Sequence, residues 1–220
     1  MLTTRINRVL GSRAVVFVLA WLSFGCLLGQ FYGLWTMHWF GCWVLPPATA
    51  LLVMAALLHR DRDEGLGSPW TWIVQGAIGG VLAAVAYDLY RLPFVLNGAP
   101  LFQVFPRFGE LLLGGTEPRW LVHGLGWTYH VSNGASLGIM FLVMASCFRR
   151  PALFWGAVAW AVFVETMLLL TPYASFFGLK LDGRFLFLTA SAHIVFGVAL
   201  GLYCRFRVGA PSSVSLTTRG

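Results

Sequence analysis

Six apolar segments, separated by short stretches rich in arginine, proline and glycine, leave this chain few folds to choose from. They span about residues 14–35, 43–58, 70–92, 120–148, 152–171 and 185–203. About 20 apolar residues suffice for one helix to cross a bilayer, and inside hydrocarbon the backbone must bond to itself. The expected fold is therefore all-α: a polytopic integral membrane protein of six transmembrane helices in one domain, residues 1–204, with a polar, disordered tail at 205–220.

Composition agrees. The chain is 58% hydrophobic and 10% charged, against about 25% charged in soluble domains. The net charge of +7 is no nucleic-acid footprint, because it sits in loops and tails beside the apolar segments, where it sets orientation. The partner it implies is a lipid bilayer. Ten basic residues (Arg5, Arg8, Arg13, Arg60, Arg62, Arg149, Arg150, Arg205, Arg207, Arg219) fall on one side and five (Arg91, Arg107, Arg119, Lys180, Arg184) on the other. That asymmetry predicts both termini in the cytoplasm. The excess of Arg over Lys, with abundant Ala and Gly, points to a GC-rich bacterial genome and hence to the cytoplasmic membrane of a bacterium.

Arg5, Arg8 and Arg13 precede the first apolar run as they would a signal peptide, but the run is too long and no small-x-small site follows; a retained first helix is expected. Thr36 to Trp43 reads as a turn containing His38, and Pro46-Pro47 falls near the start of the short second span, where missing N–H groups are tolerated. Between the third and fourth spans, Phe102, Phe105, Phe108 and Leu112 recur at helical spacing with Gln103, Arg107 and Glu110 opposite. This predicts a short interfacial helix within 99–113, placed to act as a lid. Cys26, Cys42, Cys147 and Cys204 form no C-x-x-C pair and read as small apolar residues rather than a disulfide framework. Two sets of three spans would be of opposite orientation, but internal similarity is weak, between 80–87 and 197–203.

Gly25/Gly29, Gly76/Gly80, Gly134/Gly138 and Gly197/Gly201 are each spaced to let helix backbones approach closely. They predict a tight bundle, with one such face open to a homo-oligomer or membrane-complex partner.

The chemistry lies in ionisable residues that are expensive in lipid and usually face a bundle interior. Asp88, Arg91, His123, His130, Glu165 and His193 all fall in the half of the bilayer away from the cytoplasm. At 1.5 Å rise per residue, His123, His130 and His193 lie roughly 5, 15 and 12 Å below the outer surface. His123 and His130 share a helix face with Asn133 and Gly134 nearby, while Thr128 and Ser132 point away and bond their own backbone. Asp88 and Arg91 can pair along their helix. Arg91 offers an anion clamp, and Tyr87 and Tyr90 read as interfacial belt residues. The expected arrangement is an outward-facing polar cavity with His130, Glu165 and His193 as its floor and Asp88, Arg91 and His123 as its rim.

Several chemistries fit these residue types. Glu165 with a histidine partner suits proton-coupled or small-solute transport. His130, His193 and Glu165 suit Zn, Fe or Mn, although no H-E-x-x-H or E-x-x-H motif is present, and His123 and His130, about 10 Å apart along the helix, cannot share one ion. His130 and His193 suit the axial positions of haem b. The same groups also serve a structural membrane subunit. No nucleotide loop, G-x-S-x-G or redox cysteine pair fixes an enzymatic reaction.

Overall fold

The computed structural model describes residues 7–60, 65–115, 117–146 and 150–208. Arg5, Arg62, Arg149, Arg219, Cys147 and the tail from 209 onward lie outside the described residues. The described chain is helical throughout, with no strand: α1 (Arg13–Phe31), α2 (Met37–Trp43), α3 (Leu45–Leu58), α4 (Gly76–Leu96), α5 (Val104–Leu113), α6 (Arg119–Ala145), α7 (Arg150–Leu169), α8 (Tyr173–Phe176) and α9 (Gly183–Tyr203). A π-helical turn, Thr71–Gln75, leads into α4, and another, Cys204–Val208, extends α9.

Five stretches are long and apolar enough to cross a membrane: Arg13–Phe31, Met37–Leu58, Thr71–Leu96, Ala152–Leu169 and Gly183–Val208. The chain is therefore a membrane-type helical bundle. At 27 residues α6 is the longest helix described, but it is not among the five. His123, His130, Ser132, Asn133 and Ser136 dilute its apolar content. Most of its second half is buried against other helices, so lipid does not dictate its composition.

Local chemistry moves several expected boundaries. The segment expected as a turn from Thr36 to Trp43 is helical, because the Thr36 hydroxyl caps α2 by accepting from Trp39 N at 3.2 Å. The second apolar segment thus starts at Met37 rather than Trp43 and breaks at Val44. Pro46 and Pro47 cannot donate to the carbonyls one turn back. The third helix runs through Pro93 to Leu96 instead of stopping at Leu92; near a helix end, the single carbonyl deprived of its donor is a small loss. The polar tail expected from Arg205 begins later, since the last helix continues to Val208.

In the bundle, α6 packs against α1, α4 and α5, α4 also packs against α9, and α9 against α7. α3 lies outside on α1, with only Ala48, Ala55 and Ala56 buried. The glycine pairs explain the tight crossings. A Cβ on Gly80 would meet the Gly134 carbonyl, and one on Gly138 would meet the Gly76 carbonyl and the Gly80 backbone. α4 and α6 therefore cross backbone against backbone. Gly197 and Gly201 seat α9 on Val158 and Phe154 of α7, while Gly25 and Gly29 receive the rings of Trp21 and Trp35. Each of the four pairs has at least one glycine in close contact within the chain.

Candidate functional site

The α4–α6 crossing sets the site. On α4, Gly80, Ala84, Tyr87, Asp88 and Arg91 recur at three and four residues and share one stripe. On α6, His130, Asn133, Gly134 and Leu137 form the facing stripe. One turn beyond the crossing, His130 Nε2 stands 2.9 Å from Asp88 Oδ2. A carboxylate accepts, so the imidazole donates from Nε2. Both side chains are 16% exposed.

A second pair lies on the other side of Tyr87. His193 Nδ1, on α9, is 3.0 Å from Glu165 Oε2 on α7 and 2.9 Å from the Thr189 carbonyl. Both neighbours are acceptors, so Nδ1 carries the proton. Glu165 is 4% exposed. The Tyr87 ring touches both imidazoles, with centroids 6.1 Å from His130 and 5.1 Å from His193. Two carboxylate–imidazole pairs thus flank one tyrosine.

Arg91 sits beside both pairs, 5% exposed. Its guanidinium lies 4.6 Å from the Tyr87 ring centroid and 5.2 and 5.7 Å from those of Phe102 and Phe105. It donates from Nη2 to the Leu101 carbonyl. Asp88 Oδ1 is 3.7 Å from Nη1, an ion pair too long for a hydrogen bond. Among the described residues, Arg91 Nε, Asp88 Oδ1 and Glu165 Oε1 are buried without a hydrogen-bond partner.

These groups surround a cavity of about 110 Å³ at the centre of the bundle. Phe24, Leu27, Leu137 and Phe196 make its apolar wall, and Tyr87, Arg91, His130, Asn133, Tyr173 and His193 its polar one. A second void of about 20 Å³ touches Glu165, Arg91, Thr189 and His193, room for about one water molecule.

The cavity is roofed by α5. Its apolar face follows the sequence pattern, with Phe105, Phe108 and Leu112 buried and Arg107 paired with Glu110 on the exposed side at 2.9 Å. Phe105 stacks on the His130 ring at 4.2 Å. Gly109 and Gly126 allow the contact, since a Cβ on either would strike a backbone carbonyl of the other helix. The outward opening expected from sequence is thus largely covered.

The expected site residues divide. Asp88, Arg91, His130, Asn133, Glu165 and His193 come together. His123 does not: it lies two turns closer to the N-terminal end of α6, exposed and outside both cavities although its neighbour Val122 is buried against α5. Asp88 is level with His130, so the rim and floor collapse into one layer. Tyr87, expected as a belt residue, is its hub. Its spacing of four from Arg91 put it on the same stripe. Asn133 accepts a hydrogen bond from the Ser23 hydroxyl at 2.9 Å and ties α1 to the cavity wall. Thr128 and Ser132 bond backbone carbonyls of α6, as expected.

The metal and haem readings lose their geometry. Among the described residues no three of His, Cys, Asp and Glu converge as metal ligands. His130 pairs with Asp88, and His193 with Glu165. Tyr87 lies against both imidazoles.

No protein-family model matches the sequence, and comparison with curated proteins and with solved structures gives no match.

Proposed function

We propose that this protein is a six-span membrane protein that moves a small solute together with protons, using the Asp88–His130 and Glu165–His193 pairs as proton acceptors. α6 is the sixth span. At 27 residues it is about 40 Å long, and its His130 and Asn133 side chains are engaged by Asp88 of α4 and Ser23 of α1. Both termini are on the cytoplasmic side, which puts the cavity nearer the opposite surface.

The observation that carries this reading is the pair of carboxylate–imidazole contacts around one cavity, 2.9 and 3.0 Å long, joined through Tyr87. With both imidazoles neutral, Asp88, Glu165 and Arg91 sum to one negative charge. Uncompensated charge in a low-dielectric interior is costly. One proton shared among the pairs neutralises the cluster, so proton binding and cavity occupancy are tied by electrostatics. A structural subunit has no need of two such pairs beside an arginine with spare donors.

The test is uptake by purified protein in lipid vesicles under an inward proton gradient, screened over small amines, amides, polyols, amino acids and carboxylates. At least one class should accumulate with the gradient, and Glu165→Gln and Asp88→Asn should abolish that uptake. If no class responds to the gradient, or if Glu165→Gln transports like the parent protein, the reading is wrong.

A further inference from the structure

We infer that the central cavity binds a short-chain monocarboxylate and that each bound anion brings one proton with it. The inference rests on the proton-coupled reading above and names its solute.

The cavity presents donors. A guanidinium carries five N–H groups; among the described residues only the Leu101 carbonyl accepts a hydrogen bond from Arg91, and its buried Nε has no partner. Asn133 has its oxygen engaged by Ser23 and one amide N–H directed at the Tyr129 hydroxyl, leaving its second N–H for the cavity. Asp88 and Glu165 do not line this cavity; each stands behind its imidazole. An occupant therefore meets a cation and an amide N–H first, the donor set that suits a carboxylate. An amine would meet the same guanidinium and be repelled.

The apolar wall is hydrocarbon: Phe24, Leu27, Leu137 and Phe196. Phosphate or sulfate needs polar partners on every side, and against that wall it would be left unsatisfied. A carboxylate with a short apolar tail fits both walls. Size sets the tail: an apolar cavity of about 150 Å³ accepts benzene, and this one measures about 110 Å³. Acetate, propionate and butyrate fit; hexanoate does not.

Charge sets the proton count. Arg91, Asp88 and Glu165 with one protonated imidazole sum to zero. An entering carboxylate restores one negative charge, and protonating the second imidazole removes it. That proton also converts the ring nitrogen from acceptor to donor, toward the anion. The titratable groups that line the cavity are Tyr87 and Arg91 from α4, His130 from α6, Tyr173 from α8 and His193 from α9, with Asp88 of α4 and Glu165 of α7 behind the imidazoles. α1 faces it with Phe24 and Leu27, and α5 with Val104, Phe105 and Phe108.

Short acids cross lipid unaided, so the test is binding. Full-length protein in detergent is titrated with radiolabelled propionate by a scintillation-proximity assay, with proton uptake followed by an indicator dye in weak buffer. The expected result is saturable binding with about one proton per propionate, displaced by acetate and butyrate and not by hexanoate, propionamide or propylamine. Arg91→Gln should weaken binding about tenfold or more, the size of a lost charge-assisted hydrogen bond. Because Arg91 is buried and its loss can impair folding, Phe24→Ala provides a second readout. Phe24 lines the cavity on α1, and removing its ring should admit hexanoate. Absence of propionate binding, displacement by propylamine, binding without proton uptake, or an unchanged chain-length limit in Phe24→Ala overturns the inference. If the vesicle screen still gives proton-driven uptake of another class, the proton-coupled reading survives that failure.

Discussion

Gly134→Ala should loosen the crossing that holds the site together, by an amount the geometry sets. A Cβ on Gly134 would lie 2.7 Å from the Ala84 Cβ and 3.1 Å from the Gly80 carbonyl oxygen. Carbon atoms pack at about 3.5–4.0 Å, so α4 and α6 must part locally by about 1 Å. Asp88 lies one turn beyond Ala84, and His130 lies one turn from Gly134 toward the same end of the crossing. The same displacement stretches their 2.9 Å contact to nearly 4 Å, past the limit of a hydrogen bond at about 3.2 Å. Overpacking costs about 2 kcal/mol and the weakened charge-assisted bond about 1–2 kcal/mol. Alanine's better helix propensity offsets about 1 kcal/mol. The net loss is about 2–3 kcal/mol, or roughly 5–10 °C in the unfolding midpoint for a chain of this size. The assay is thermal unfolding in detergent followed by tryptophan fluorescence. Gly124→Ala on the same helix is the control: its added Cβ meets nothing within 4 Å, and it should leave the midpoint unchanged or slightly raised. Ala84→Gly removes the atom the new methyl strikes, so the double variant should recover most of the loss as a positive coupling. Equal midpoints for Gly134→Ala and Gly124→Ala, or no recovery in the double variant, would refute the argument.

Two further outcomes follow from the site. His123→Ala should leave stability within about 0.5 kcal/mol of the parent and leave proton-coupled uptake unchanged, since the side chain is exposed outside both cavities; the same melts and vesicle assay check both. Asn133→Ala should cost about 1 kcal/mol, the worth of its bond from Ser23, and should weaken propionate binding while leaving its proton count intact; unfolding and the indicator-dye titration separate the two effects.

The bundle was legible because lipid imposes one rule on every residue facing it: long apolar stretches between charged loops have one structural solution. The face of α5 was equally plain, since Phe105, Phe108 and Leu112 against Arg107 and Glu110 repeat at helical spacing, and the structure buries the first set and exposes the second. What escaped depended on rotation about helix axes and on pairing between helices. His123 and His130 share a face by spacing, but only His130 meets a neighbouring helix's side chains; α5 packs on α6 beside His123 at Val122 and leaves His123 exposed, which spacing alone does not show. The Asp88–Arg91 spacing predicted a pair along the helix; the closer partner of Asp88 is His130, 42 positions away in sequence. Tyr87 looked like an interfacial aromatic because it lies near a predicted span end, and that end moved outward once the helix ran through Pro93.

Backbone contact and charge are one device in this fold. Ionic groups in a membrane interior are held at low cost only where partners meet at hydrogen-bonding distance and nothing else intervenes. Asp88 and His130 have short side chains, so their helices must cross closely, and glycine at 76, 80, 134 and 138 allows this. Helix association in lipid has no hydrophobic drive, so the ion pair in turn helps to hold the crossing shut. Each feature explains the other's position: Gly134 lies about one turn from His130, and Gly80 and Gly138 about two turns from Asp88 and His130, because farther away they would no longer set the charge separation. The α7–α9 contact repeats the arrangement, with Gly197 one turn from His193, and Ala161 and Ala157 one and two turns from Glu165. Two close crossings therefore bracket one cavity, each placing a carboxylate against an imidazole.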